Sequence, residues 1–422
     1  MRTMSAAAPT TQEYKRLTQY DVDVICAKHD RLWSARMGGA RAVFAFCDLS
    51  GLSMTGRNLC DADFTGAMMV GCDLRKTKMD NANCYGADMQ GADLTDASMR
   101  RADLRGSSLR GANLTGADMF EADLREGTLA AADRKEGYRV IELTQREAYA
   151  TGANLSGANL ERSRLSGIVA TKADFSDAIL KDAKLVRANL KQANFNGANL
   201  AGADLSGANL AGADLRNTVL VGAKTMSWNI NDTNLDGALT DKASGTSVSD
   251  MPYEQMIADH ARWCETGGGE GKPSVFDKAD LRNLRSVRGF NLTALSAKGA
   301  VFYGLDMEGV QMQGAQLDGA DLRACNLRRA DLRGARLKGA KLSGSDLRDA
   351  QLGPLLIAAD RVLPVDLTGA ILANADLARA DLRQARMAGA DVSRANFTGA
   401  QLKDIDLTGA IRLAARGLDD VI

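Results

Sequence analysis

The chain has 422 residues, 45% of them apolar, and its 53 basic residues equal its 53 acidic ones. Balanced charge excludes a global field that would draw it to nucleic acid or an anionic membrane, so neither is expected as a direct partner and electrostatic recognition has to be local. The seven cysteines are odd in number and lack CxxC spacing, which excludes a disulfide framework and a zinc site and leaves reduced, mostly buried thiols. No signal-like apolar segment opens the chain and no run reaches the roughly 18 apolar residues of a membrane span, so the cytoplasm is the default compartment.

From about Gln12 to Met37 the pattern is helical, with Val22, Ile25, Cys26, Leu32 and Trp33 on one face together with His29, followed by Gly38 and Gly39. Residues 1–43 are expected to form a cap, because a repeat array with a raw apolar end begins directly after them. From Phe44 and Leu49 through Phe64, Leu94 and Leu114 to Leu129, a central apolar residue recurs every five positions, in about 18 units. The unit is A-(D/N)-L-x-G, clearest in Ala198-Asn199-Leu200-Ala201-Gly202.

Five is neither the helical period nor the strand period of 2, so the chain must turn a corner at every unit. Ala and Leu stand two apart and face inward together, while Asp or Asn faces out and, with Gly, serves the corner. Four corners close a square coil of about 20 residues. That predicts columns such as Phe44, Phe64, Cys84, Leu104 and Leu124, and Leu155, Phe175, Phe195, Leu215 and Leu235, with Cys47, Cys72 and Cys325 in the inward small-residue position.

Residues 131–151 break the array, and the alternation in RVIEL beside Lys135-Glu136-Gly137 predicts a projecting hairpin. A second array, offset by one residue, runs from Leu155 to Leu235. A polar stretch around residue 245 marks a boundary. The helical pattern then returns between residues 253 and 264, with Tyr253, Met256, Ile257, Trp263 and Cys264 around His260, and with Arg262 and Lys272 matching Arg31 and Arg41. The expected organisation is a cap at 1–43, a coil over 44–240 with arrays at 44–129 and 155–235, a linker and second cap at 241–275, a coil over 276–411, and a tail at 412–422. The third array keeps register from Leu292 to Leu407, with Phe276 and Leu281 as an imperfect lead-in and a local bulge expected at 353–366.

These pentads resemble the pentapeptide-repeat family over roughly 70 per cent of the chain. The resemblance implies an all-β solenoid, a right-handed quadrilateral β-helix, here in two modules each preceded by a capping α-helix. Some members of that family resemble duplex DNA in shape and acidity and bind type II topoisomerases. That implies control of a gyrase-type enzyme as one function, although such mimicry needs a strongly negative surface.

No constellation signals catalysis. His29 and His260 sit on the apolar faces of the two cap helices, where hydrogen bonding to an open strand edge explains them without a metal. The Gly267 to Lys272 run approaches a phosphate-binding loop but has Thr266 and Pro273 where Gly and a hydroxyl are needed. No cofactor, metal site or enzyme activity is expected.

Basic residues number 9 against 13 acidic over 44–129, 9 against 7 over 155–235, and 17 against 16 over 292–422. One cluster stands out: Arg323, Arg328, Arg329, Arg333, Arg336, Lys338, Lys341 and Arg348 face only Asp331 and Asp346 within 323–348. The coil would place Arg323, Arg328, Arg333 and Lys338 on four successive walls, with Arg348 stacked on Arg328, and Arg328, Arg333 and Arg348 are expected to point into solvent. This collar is the candidate partner-binding surface. The function expected is a non-catalytic binding or scaffolding protein that presents rigid walls to a protein partner. Self-association through rod ends belongs to that picture, and delivery into a host cell is a third reading.

Overall fold

A computed structural model describes residues 14–135, 138–242, 252–284, 286–358 and 361–418. The chain divides into two compact units, Met1–Asp241 and Lys242–Ile422. Each is a right-handed quadrilateral β-helix whose walls are ladders of single-residue parallel bridges, such as Val43↔Asp63, Asp63↔Asn83 and Asn83↔Asp103.

The pentad explains the coil bond by bond. Phe64 donates its N–H to Asn83 O at 2.7 Å, Asp63 donates to Ala42 O at 3.0 Å, and Ala67 closes the corner by donating to Phe64 O at 2.9 Å. Gly66, at φ 60°, supplies the positive φ that the third residue of such a turn requires. Ala62 and Phe64 are both fully buried, as two residues on the same face of a short strand should be. Phe44 stacks on Phe64 at 5.0 Å and Phe175 on Phe195 at 4.8 Å.

In the first unit a cap precedes the coil. The short strand β1 (Lys15–Arg16) pairs in parallel with β2 (Cys47–Asp48), and helix α1 (Gln19–Trp33) follows β1. The helix is shorter than its sequence pattern because Thr18 starts it through a capping box with Asp21. Val22, Cys26 and His29 are buried, but Leu32 and Trp33 are 48% and 51% exposed, correcting their assignment to the covered face. Positions 1–13 of the expected cap lie outside the described residues.

The two arrays of the first unit form one uninterrupted coil. The ladders pass directly from Ser108 to Tyr149 and from Asp118 to Asn159. Asn159 accordingly donates to Asp118 across a sequence separation of 41, where 20 is the rule, as between Asn194 and Asp174. The surplus chain leaves as an antiparallel hairpin of β3 (Gly127–Lys135) and β4 (Tyr138–Arg146). Leu129 therefore belongs to the hairpin and not to the array, and the coil resumes by Ala148 and Ala150, both buried. The Glu136-Gly137 tip lies outside the described residues.

The second unit opens on α2 (Tyr253–Glu265). Its first coil carries one extra residue, since Asp280 bridges Val301 but Ser286 bridges Asp306, which is why Phe276 and Leu281 read as an imperfect lead-in. The bulge expected at 353–366 is a second antiparallel hairpin, β5 (Leu355–Ala358) with β6 (Arg361–Leu363). Arg336 bridges Asp366 directly, so two whole pentads are extruded from the wall. The coil also runs further than expected: Asn396 bridges Arg416, inside the stretch read as a tail.

Candidate functional site

The outward aspartates and asparagines are structural first. Asp93 Oδ1 accepts from Thr95 N at 3.0 Å and Asp204 Oδ1 from Ser206 N at 3.1 Å, the side chain bonding its own backbone two residues on. Where the second residue is arginine, the same carboxylate also takes the guanidinium in two-point contact. Arg105 Nε and Nη2 donate to Asp103 at 2.9 and 2.6 Å, and the same pairing recurs at Asp123–Arg125, Asp214–Arg216 and Asp381–Arg383. The Arg216 guanidinium holds the Asp214 carboxyl below its ordinary range.

That local rule reshapes the basic collar. Arg333 pairs with Asp331 at 2.6 Å, and Arg348 with Asp346 at 2.5 Å and Asp376 at 3.5 Å. Arg329 reaches Glu308 and Arg336 reaches Asp318, both acids lying one coil away. Arg323 pairs with Asp321 and is 4% exposed, so it is not a surface residue as expected. Arg328 is half-buried, with Nε out of solvent, and Lys338 is exposed. The stacking of Arg348 on Arg328 follows from the Asn326↔Asp346 bridge. Lys341 is held below the usual lysine range by burial and by the Arg323 charge.

At the N-terminal end of each coil the histidine meets the first backbone edge. His29 Nδ1 accepts from Ala42 N at 3.1 Å, and His260 Nδ1 accepts from Ser274 N at 3.0 Å while Nε2 meets Thr293 O at 3.1 Å. Gln19 covers a second wall by exchanging two hydrogen bonds with the Ser53 backbone. Trp33 and Trp263 flank the two rings at 6.4 and 5.8 Å. Burial pulls the His260 imidazole below its ordinary value. Gly39 and Gly271 are equivalent, each packed on helix backbone with no room for a Cβ, while Ala40 bonds Lys28 O and Lys272 bonds Asp259 O. Lys272 therefore matches Ala40 and not Arg41, because the second glycine loop is one residue longer.

The cysteines fill space. Cys72 Sγ donates to Leu49 O and Cys325 Sγ to Phe302 O, each one coil back, and burial pushes the two thiols up to about 11 and about 12. Among the described residues no group of three or more His, Cys, Asp or Glu is placed to hold a metal ion, and no helix is long and apolar enough to cross a membrane.

Sequence reasoning missed the foot of the β3–β4 hairpin. Tyr85 holds it there, its hydroxyl donating to Thr128 O and accepting from Thr128 N. Arg110 lies over Tyr149 at 3.9 Å, and Arg100 and Arg162 both lie over Phe120. An open cleft of about 530 Å³ lined by Asp88, Arg110, Glu126 and Glu147 flanks the foot, and another of about 720 Å³ has a mixed lining that includes Arg125, Arg162 and Lys184 together with Glu121, Asp123 and Asp182. The available signal was three aromatic residues, Tyr85, Phe120 and Tyr149, at outward positions of the pentad.

The family model described as pentapeptide repeats matches residues 40–75, 58–96, 97–133, 151–192, 183–224, 288–323, 315–352, 365–399 and 375–411. No curated protein matches the chain. Among solved structures, the chain is similar to HetL, a pentapeptide repeat protein involved in heterocyst differentiation regulation from the cyanobacterium Nostoc sp. strain PCC 7120, at 23% identity over 91% of this chain and 94% of that one, with a TM-score of 0.19. It is also similar to QnrB1, a plasmid-mediated fluoroquinolone resistance protein, at 23% identity over 48% of this chain and 92% of that one, with a TM-score of 0.23. A pentapeptide repeat protein of the Arabidopsis thaliana thylakoid lumen matches at 24% identity over 37% of this chain and 68% of that one, with a TM-score of 0.12.

Proposed function

We propose that this chain, which belongs to the pentapeptide-repeat family, is a non-catalytic binding protein whose coil walls are recognised by a protein partner. The observation that carries this reading is the anchoring of outward side chains. Carboxylates bonded to their own backbone and guanidinium groups held by those carboxylates stand in a fixed grid, with rungs about 4.8 Å apart. A surface already ordered loses little conformational entropy when a partner covers it. A protein partner is favoured over topoisomerase control by DNA mimicry because the first array holds 9 basic against 13 acidic residues over 44–129, short of a strongly negative surface, and the other two arrays are nearly balanced.

The test is affinity capture of the tagged full chain from its host, followed by direct binding measurements with the purified partner. Charge reversal at Arg328, Arg333 and Arg348 together should weaken that binding most at low salt. A partner whose affinity ignores every outward substitution on both coils would overturn the reading.

A further inference from the structure

We propose that the β5–β6 hairpin is a docking element for a protein surface that is apolar and bordered by carboxylates; this deepens the binding-protein reading and rests on it. The hairpin is surplus to the fold, since the ladder passes from Arg336 straight to Asp366 without it. One face leans on the coil: Leu355, half-buried, and Leu363, 39% exposed, are cross-strand partners against the corner at Gly334, where an added Cβ would come within 2.8 Å of Leu355 and 3.2 Å of Leu363. The opposite face is open. There Leu356 pairs with Val362, 64% and 48% exposed; Ile357, at the register shift next to Leu356, is 46% exposed. Single exposed aliphatics are ordinary, but three adjoining ones on a segment the coil does not need mark an interaction site.

Charge supplies the border. Lys338, Arg361 and Arg386 are exposed, and among the described residues none of them makes an ion pair at salt-bridge distance. Arg386 occupies the rung above Asp366 and Arg336 the rung below, Arg336 being committed to Asp318. Asp366, where the chain rejoins the wall, is the carboxylate that Lys338 and Arg386 share, and with Arg361 beside Val362 the three cations outnumber it; an aliphatic patch beside such a positive excess complements aliphatic side chains edged by carboxylates. A charged, exposed Arg361 beside Val362 suits a protein surface better than insertion into a bilayer, which favours an apolar leading edge.

The experiment uses the full chain and a fluorescein-labelled 15-residue amphipathic peptide with Leu along one helical face and Glu on its flanks. Anisotropy should report binding that weakens at least tenfold in Leu356→Ser/Val362→Ser and in Lys338→Glu/Arg386→Glu, and that declines with salt. Circular dichroism melts should show both variants cooperatively folded at the assay temperature, because all four side chains are exposed. No binding by the parent, or equal binding by both variants, overturns the proposal. Hairpin-dependent sedimentation with phosphatidylserine-containing vesicles, with no peptide binding, would overturn it in favour of a membrane. A captured partner that binds Leu356→Ser/Val362→Ser undiminished would sink this inference and leave the binding-protein reading standing.

Discussion

Replacing Leu200 by Asp tests the inward and outward assignment on which every other statement rests. Leu200 is fully buried on the axis, and the Ile179↔Asn199↔Val219 ladder stacks it between Leu180 and Leu220. The change removes about 1.5–3 kcal/mol of apolar burial and places a carboxylate where no partner exists, which adds several kcal/mol. Asp204 faces out and accepts one backbone bond from Ser206, a bond that a serine hydroxyl can replace in part, so Asp204→Ser should cost roughly 1 kcal/mol or less. At about 2–4 °C per kcal/mol for a unit of this size, Leu200→Asp should lower the melting temperature by roughly 10 °C or more and Asp204→Ser by no more than about 4 °C. Thermal melts followed by circular dichroism, with Leu200→Met as a volume-conserving control expected to cost less than about 1.5 kcal/mol, decide the matter. Equal losses at positions 200 and 204 would refute the pentad geometry.

The first hairpin should be dispensable only in its full length: deleting residues 127–147 brings Ala150 five positions after Leu124 and should leave a cooperative melt, whereas deleting 127–146 shifts register by one and should abolish it. The second unit should lose stability in acid. His260 Nδ1 must be unprotonated to accept from Ser274 N, and burial keeps its pKa below the unfolded value of about 6.5. Its contribution is thus complete above that value and lost as pH falls through the folded one; urea unfolding at pH 8 and pH 5 should show a smaller difference in His260→Ala than in the parent. Reversing Arg333 and Arg348 to Glu sets carboxylates beside Asp331, Asp346 and Asp376, so the melting temperature should fall a few degrees at low salt and recover at high salt; no change at low salt would mean those ion pairs are idle.

How legible each part was depends on what the pentad can record. The period exposed the inward columns because a slip of one residue would turn every Leu outward. The β3–β4 insert showed itself because it exceeds a whole coil by a single position and so offsets the second array, which the Asp118–Asn159 separation of 41 records. The β5–β6 insert is two whole units long, so Ile357 and Val362 fell on marker positions and passed as coil, although both are about half exposed. Leu32 and Trp33 fit the helical stripe, but burial depends on where the coil beneath ends, which periodicity does not encode. The cap histidines each accept from a backbone N–H at the start of their coil, the kind of group that an open ladder leaves unpaired.

The basic collar shows why charge in a solenoid cannot be counted along the chain. Eight cations against two acids within 323–348 suggested a strong field, yet Glu308, Asp318 and Asp376, all outside that window, neutralise Arg329, Arg336 and Arg348 from adjacent coils. The neighbour that matters stands one rung away: a sequence separation of 20 on an unbroken wall, as for Asp376 and Asn396, and of 30 across the β5–β6 hairpin, as for Asp349 and Arg379. Within the coil, an acid two residues before an arginine silences it by direct pairing, which removes Arg323, Arg333 and Arg383 from any long-range field. Counted over this two-dimensional lattice, the positive charge outside direct ion pairs moves away from the centre of the collar to Lys338, Arg361 and Arg386, of which Lys338 and Arg386 share Asp366 at longer range. Arg361 is next to Val362, Arg386 stands one rung above Asp366 where the chain rejoins the wall, and Lys338 lies two residues past Arg336 on the rung below, so positive charge and apolar exposure occur on neighbouring parts of the second coil.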